Sequence, residues 1–326
     1  TFCALSQGQP CSERSVFNIF TKSSNEYFIM DKNNIPTKLL PPNFPELLTL
    51  IKNPPQELYC LGNIPKGFYI ALVGTRRPGN YSKELCKRLV KSLQNTQAIV
   101  VSGLAQGIDC YCHEAAIDFG VPTIAVLAQG LMTKIHGERR ILAEQILQNG
   151  GAIISEFPLE TPSYKSMFPA RNRIIAGISN AVVIVESKEK GGSMLTANFA
   201  LQYNRPLFAL SGNCFQETYQ GPLTLLRSDK AKPIYFPEDL PFICNIPVKD
   251  SNKTPLNISI SNLSLEAQEL FKKNSGFFKN LSELSSDSKM VMSSLFSILT
   301  ELELAGLVSS QDGYRYFFEK ECSCKN

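Results

Sequence analysis

Six short runs in this chain are apolar at every position, and each is followed by a stretch with helical patterning. The runs lie at 69–73, 98–101, 123–127, 152–154, 181–185 and 206–210. A strand that is apolar on both faces must be buried on both faces, which is the condition of a parallel sheet covered by helices. Helical segments are expected at about 82–94, 108–119, 138–149, 170–179 and 194–203. Strand and helix therefore alternate, and the economical fold class is α/β: a Rossmann-like, doubly wound, mostly parallel sheet. In such sheets a ligand sits beyond the carboxyl ends of the strands.

At 326 residues the chain is long for one small domain. Residues 1–45 read as a short lead-in, an abbreviated helical region that ends in the proline-marked Leu39-Leu40-Pro41-Pro42-Asn43-Phe44-Pro45. Residues 46–237 form the α/β domain; within it, 46–62 reads as a short helix and a turn at Pro54-Pro55. Residues 238–262 read as a linker rich in Asn, Ser, Lys and Pro over 241–262. From 263 to 320 the pattern changes again. Leu265 to Lys273 looks helical with Ser264 as N-cap, and Asn280 to Ser285 suggests a second short helix. Val291, Leu295, Ile298 and Leu302 recur at helical spacing, with Gly306 placed to end that helix. Leu307-Val308, Asp312-Gly313 and Tyr314 to Phe318 read as a hairpin. Three helices and a hairpin in this order make a small C-terminal winged helix.

The formal charge is only +4, so the distribution of cations matters more than their sum. The ten cysteines show no Cys-x-x-Cys pair, and neither His113 nor His136 completes a zinc spacing. Reduced thiols acting as small core residues are expected, with no metal and no cofactor; a disulfide in the tail pair Cys322 and Cys324 is the minor reading. No run is long and apolar enough to span a bilayer, and the start lacks the plan of a secretion signal. A cytoplasmic location without membrane attachment is the expectation.

The loops after the strands carry the chemistry. The first is Gly74-Thr75-Arg76-Arg77-Pro78-Gly79, where glycine allows close approach and arginine offers forked donors to phosphate. A plain turn with two solvated arginines fits it equally well. The second is Ser102-Gly103-Leu104-Ala105-Gln106-Gly107-Ile108-Asp109, another turn suited to anions; Asp109 reads as a cap and His113 as a helix-packing residue. The third is the most informative: Lys165, Arg171 and Arg173 surround Phe168. Cations for phosphates and a ring for a base are how proteins hold single strands. The last is Glu186-Ser187-Lys188-Glu189-Lys190-Gly191-Gly192-Ser193-Met194-Leu195-Thr196-Ala197, where Gly-Gly-Ser before a helix suits an anion or, equally, a tight turn with a serine N-cap. Each loop alone has a bland structural explanation, but all of them leave the same sheet edge. Glu156 and Glu186 end strands and are candidate carboxylates, with nothing to place them on one substrate.

The chain resembles the DprA/Smf family of bacterial DNA-processing proteins. The resemblance runs over about 42–235 and again over 263–318. It rests on Asn43-Phe44-Pro45-Glu46-Leu47, Val73-Gly74-Thr75-Arg76, Ser102-Gly103-Leu104-Ala105 with Gly107-Ile108-Asp109 and His113, and above all Phe168-Pro169 with Arg171-Asn172-Arg173-Ile174-Ile175-Ala176. It implies a non-enzymatic protein that binds single-stranded DNA in natural transformation, protects incoming strands, helps load the RecA recombinase and forms homodimers. By matched position, DNA contacts would fall to Gly74, Thr75, Arg76, Ser102, Gly103, Lys165, Phe168 and Arg171. The family usually carries Arg where this chain has Gln106, Tyr-Pro where it has Ile135-His136, and Gly-x-Asn where it has Gly221-Pro222-Leu223. Two rivals stand beside this reading. One is a Rossmann-like nucleotide monophosphate phosphoribohydrolase using Glu186. The other makes the winged helix the nucleic-acid reader, although its third helix carries Glu301 and Glu303.

Overall fold

The structure, a computed structural model, describes residues 36–41, 43–249, 263–275, 278–310 and 315–318. The lead-in before residue 36, linker residues 250–262, the Asp312-Gly313 turn and the tail pair Cys322 and Cys324 lie outside them.

The first unit contains β1 (Thr37–Leu39), α1 (Glu46–Thr49), β2 (Leu58–Gly62), β3 (Phe68–Val73), α2 (Ser82–Lys91), β4 (Ala98–Ser102), α3 (Ile108–Asp118) and β5 (Thr123–Val126). It continues with α4 (Glu138–Gln148), β6 (Ala152–Ser155), α5 (Met167–Ile178), β7 (Ala181–Ile184), α6 (Gly192–Gln202), β8 (Leu207–Leu210), α7 (Gln220–Arg227), β9 (Lys232–Ile234) and α8 (Leu240–Ile243). All nine strands form one sheet in the order β1-β2-β6-β5-β4-β3-β7-β8-β9. β6 to β9 in that order are parallel, while β1 and β2 add an antiparallel edge beside β6.

The six apolar runs are the six strands β3 to β8, and the reason is visible in their side chains. Along β3, Ala71 and Val73 enter the core under α5 and α6, while Ile70 and Leu72 enter the core under α2 and α3. β7 divides the same way, with Val182 and Ile184 on one face and Ala181 and Val183 on the other. Each strand must be apolar on both faces because each serves two helical layers.

Three boundaries differ from the sequence reading. β1 lies inside the supposed lead-in, and pairs Thr37 with Cys60. β2 replaces most of the supposed turn after Pro54-Pro55, since Cys60 and Leu61 have apolar cores to enter. Residues 240–249, assigned to the linker, pack on the domain: Leu240 and Ile246 join the α2–α3 core, and the Gln97 amide donates to the Pro247 carbonyl at 2.6 Å.

His113 packs at the α3–β5 contact, fully buried. The Thr123 hydroxyl donates to the Val100 carbonyl and so accepts from His113 Nδ1 at 2.7 Å. Burial pushes the imidazole down to about 3, which keeps it neutral and structural. Of the described cysteines, Cys60, Cys86, Cys110, Cys112 and Cys244 are buried and Cys214 is exposed.

The second unit contains α9 (Leu265–Asn274), β10 (Phe278–Asn280), α10 (Leu281–Ser288), α11 (Met292–Leu304), β11 (Val308–Ser310) and β12 (Arg315–Phe318), with strand order β10-β12-β11. This is a winged helix. Ser264 caps α9 through the Ala267 amide, and Asn280 and Glu283 form a capping box at α10. Leu295, Leu299 and Leu302 fill its core, whereas Val291, read as part of that stripe, is the exposed N-cap of α11. Among the described residues no helix is long and apolar enough to cross a membrane.

Candidate nucleic-acid interface

The chain runs β3, β4, β5, β6 outward in one direction, then returns to place β7 on the other side of β3. The loops after β3 and β7 therefore diverge, and a crevice opens between them at the switch point. A cavity of about 420 Å³ lies there, lined by residues 74–77 after β3, residues 187–188 and 191–193 after β7, and Phe168 and Arg171 of α5. A second cavity of about 380 Å³ adjoins it, lined by Gln106, Lys134, His136 and Arg139. Arg76, Ala105, Phe168 and Arg171 line both cavities.

Arg76 and Phe168 form the ridge between the two. The Arg76 guanidinium carbon lies 4.6 Å from the ring centroid, and that of Arg171 lies 5.7 Å away. Phe168 is half-buried and Arg76 is exposed. Such contacts contribute roughly 0.5–1 kcal/mol where exposed. They also hold a flat cationic face at the surface, ready to extend a stack. Lys165 is exposed two residues before α5 and lines neither cavity.

Several residues assigned to phosphate turn out to serve the protein itself. The carboxyl group of buried Asp109 accepts the Gly103 amide at 3.1 Å and the Ala105 amide at 3.4 Å. The nest of amides between the first two loops is thus already filled by a carboxyl group of the protein. Burial pushes the Asp109 carboxyl up, and the charge of Arg171 pulls it back. Gly74 has a packing reason to be glycine: a Cβ there would come within 2.6 Å of Ile108 Cγ1. The Ser102 hydroxyl is buried and donates its one proton to the Leu72 carbonyl at 2.7 Å. The Thr75 amide donates to the Glu186 carbonyl, and its hydroxyl accepts from the Arg77 amide.

Arg171 is only 5% exposed. Its Nη1 donates to the carbonyls of Gly103 at 2.5 Å and Val126 at 2.9 Å, and its Nε donates to Asn172. It is a strut joining the ends of β4 and β5 to α5. Burial pushes its guanidinium down to about 10, so it stays charged at neutral pH beneath both cavities. Gly103 must lack a side chain because a Cβ would overlap this guanidinium. Arg173 does not share the groove. Two residues along a helix means about 200° of rotation, and it turns away to pair with Glu156 and to donate to the Asn53 carbonyl.

Neither weighed carboxylate lines the described cavities. Glu186 is 1% exposed and accepts from the Ser82 hydroxyl and the Gly79 amide. Glu156 is committed to Arg173. Among the described residues no group of three or more His, Cys, Asp or Glu could hold a metal ion. Reasoning from sequence missed Arg139, whose Nε donates to the Leu104 carbonyl at 2.7 Å; burial pulls its guanidinium down, and Arg76 adds to the effect. Its place in the first turn of α4 reads as an ordinary solvated helix face. Lys134 was also missed as a lining residue, for the same want of a local signal.

Fold and site define a doubly wound α/β protein with a basic cleft at its switch point, ridged by a guanidinium on a ring. The chain belongs to the DNA recombination-mediator protein A family, whose profile residues 37–242 match. It is 38% identical to the DNA processing protein DprA of Bacillus subtilis over 200 residues, 60% of this chain and 67% of that protein. It is 37% identical to Protein Smf of Escherichia coli over 187 residues, 56% of this chain and 50% of that one. The chain spans about half the length of the Smf proteins of E. coli and Synechocystis. Its fold matches DNA processing protein A from Helicobacter pylori, a structure described for its single-stranded DNA binding mode. The TM-score is 0.57 at 31% identity, covering 64% of this chain and 95% of that one. DprA from Streptococcus pneumoniae matches with a TM-score of 0.59 at 30% identity, covering 64% and 74%.

Proposed function

We propose that this chain binds single-stranded DNA without strong sequence preference, as a non-enzymatic step of DNA processing in natural transformation. In this reading it protects incoming strands, helps load RecA and acts as a cytoplasmic homodimer. The strand lies on the α/β unit, with Lys165, Arg76 and the second cavity taking phosphates and Phe168 taking a base. The observation that carries the reading is the Arg76–Phe168 ridge set among cations. Stacking needs an unpaired base, because a duplex hides the faces that an aromatic side chain would cover. A phosphoribohydrolase would need a carboxylate facing its nucleotide, and both weighed carboxylates are engaged elsewhere. As a reader of DNA the winged helix is poorly equipped: α11 contains no Lys or Arg and ends near Glu301 and Glu303. Its chemistry suits contact with a protein.

Titration of a labelled oligo-dT against Phe168→Ala tests the assignment. Loss of one stack is expected to weaken binding by about 1–3 kcal/mol, roughly 5- to 150-fold. Unchanged affinity, or release of adenine from AMP at enzymatic rates, would favour the rivals.

A further inference from the structure

The switch-point cavity has features that a track for continuous backbone does not need. Its base is built rather than merely exposed: Ser193 is 8% exposed, Asn172 7% and Thr196 1%. Asn172 bonds the Gly192 carbonyl through Nδ2 at 3.1 Å, and the Ser193 hydroxyl donates to Ser187 at 2.8 Å. Thr196 differs from them. Its side chain lines the cavity, yet among the described residues its hydroxyl has no hydrogen-bond partner. It is not sealed off in the way that His113 Nε2 or Arg205 Nε is, so its one opening is to the cavity, where a group that enters from outside can accept its proton.

Charge identifies that group. The N-terminus of α6 opens on the cavity at Gly191 and Gly192, and no side chain caps it. Its first-turn amides and the helix dipole favour an anion. Arg76, Arg77 and Lys188 stand around the mouth. Lys188 is held by Glu217 at 2.6 Å in an exposed pair, which an arriving anion can displace. Asp109 also lines the cavity, but Arg171 and the loop amides compensate its charge. An internal phosphodiester carries one negative charge and must leave as well as enter. A phosphomonoester carries about two at neutral pH and only has to enter. A volume of about 420 Å³ is that of a small-ligand site.

We propose that this cavity seats the terminal phosphomonoester of a nucleotide, either a strand end or a free nucleoside monophosphate, beside the single-strand track. The proposal rests on the single-strand reading above and adds a preference for ends to it.

The test compares oligo-dT carrying a 5′-phosphate, a 3′-phosphate or hydroxyls at both ends, with calorimetry of dTMP alone. A phosphorylated strand is expected to bind about tenfold more tightly than the hydroxyl strand. Thr196→Val keeps the side-chain shape and breaks no bond within the protein, and should bring that ratio to near one. Gly192→Ala, which adds a methyl where no protein atom lies within 4 Å, should do the same. Preference for a phosphorylated end with no heat from dTMP identifies the strand end; heat from dTMP that Thr196→Val abolishes identifies the free nucleotide. A ratio of one in the wild type with no dTMP heat overturns the proposal. If the hydroxyl strand still binds in that case, the single-strand reading survives; if no strand binds, it falls too.

Discussion

Replacing Arg171 by alanine is expected to lower folding stability by about 3–5 kcal/mol, the largest effect of any single change near the cleft. The reason is what the guanidinium leaves behind. The Gly103 and Val126 carbonyls lose their shared donor, and an unsatisfied buried polar group costs about 1–3 kcal/mol. Asp109, itself 5% exposed, loses the cation that offsets its burial. For a domain of this size a loss of that order corresponds to a fall in Tm of about 10 °C. Urea denaturation of the full chain measures it, read as a lower midpoint with an unchanged slope. Gly103→Ala, which drives a methyl into the same guanidinium, should destabilise in parallel. A loss below about 1 kcal/mol for Arg171→Ala would show that the three loop ends are held by something else.

The opposite pattern is expected for Arg76→Ala/Lys165→Ala. Both side chains are exposed, and neither has a salt bridge among the described residues. Stability should stay within about 1 kcal/mol of the wild type, since only the contact of Arg76 with Phe168 is lost. Affinity for oligo-dT should fall roughly 30- to 100-fold at low salt, about tenfold or slightly less per phosphate contact. The salt dependence is the sharper readout. Each lost phosphate contact on a single strand removes about 0.7 from the slope of log K against log salt, so the double variant should be shallower by about 1.4. An unchanged slope would place the strand elsewhere on the molecule.

These two predictions separate what the sequence displayed from what it concealed. The inner strands were legible because burial on two faces leaves an unbroken apolar signature, as in Ile70-Ala71-Leu72-Val73. The strands at either end of the sheet were not. β9 is Lys232-Pro233-Ile234, and its proline fits only an edge strand; β2, second from the other edge, follows Pro54-Pro55 and pairs antiparallel with both neighbours, outside the repeating strand–helix pattern. At the cleft, Arg76 and Phe168 were legible as an exposed cation and a ring beside a strand end. Gly74, Ser102, Gly103 and Arg171 were marked as DNA contacts, and the structure adds internal tasks that the sequence did not show. A sequence shows that a guanidinium or an amide is present; it does not show whether a ligand or Asp109 will take it. Arg173 was separable in principle, because its helical phase opposes that of Arg171.

The most direct test of the account is photocrosslinking of 5-iodouracil-substituted oligo-dT to the full chain, with the modified peptide mapped by mass spectrometry. The account predicts crosslinks within residues 165–168, centred on Phe168, that disappear in Phe168→Ala. Crosslinks confined to α11 or to the strands of the winged helix, with none at 165–168, would contradict it.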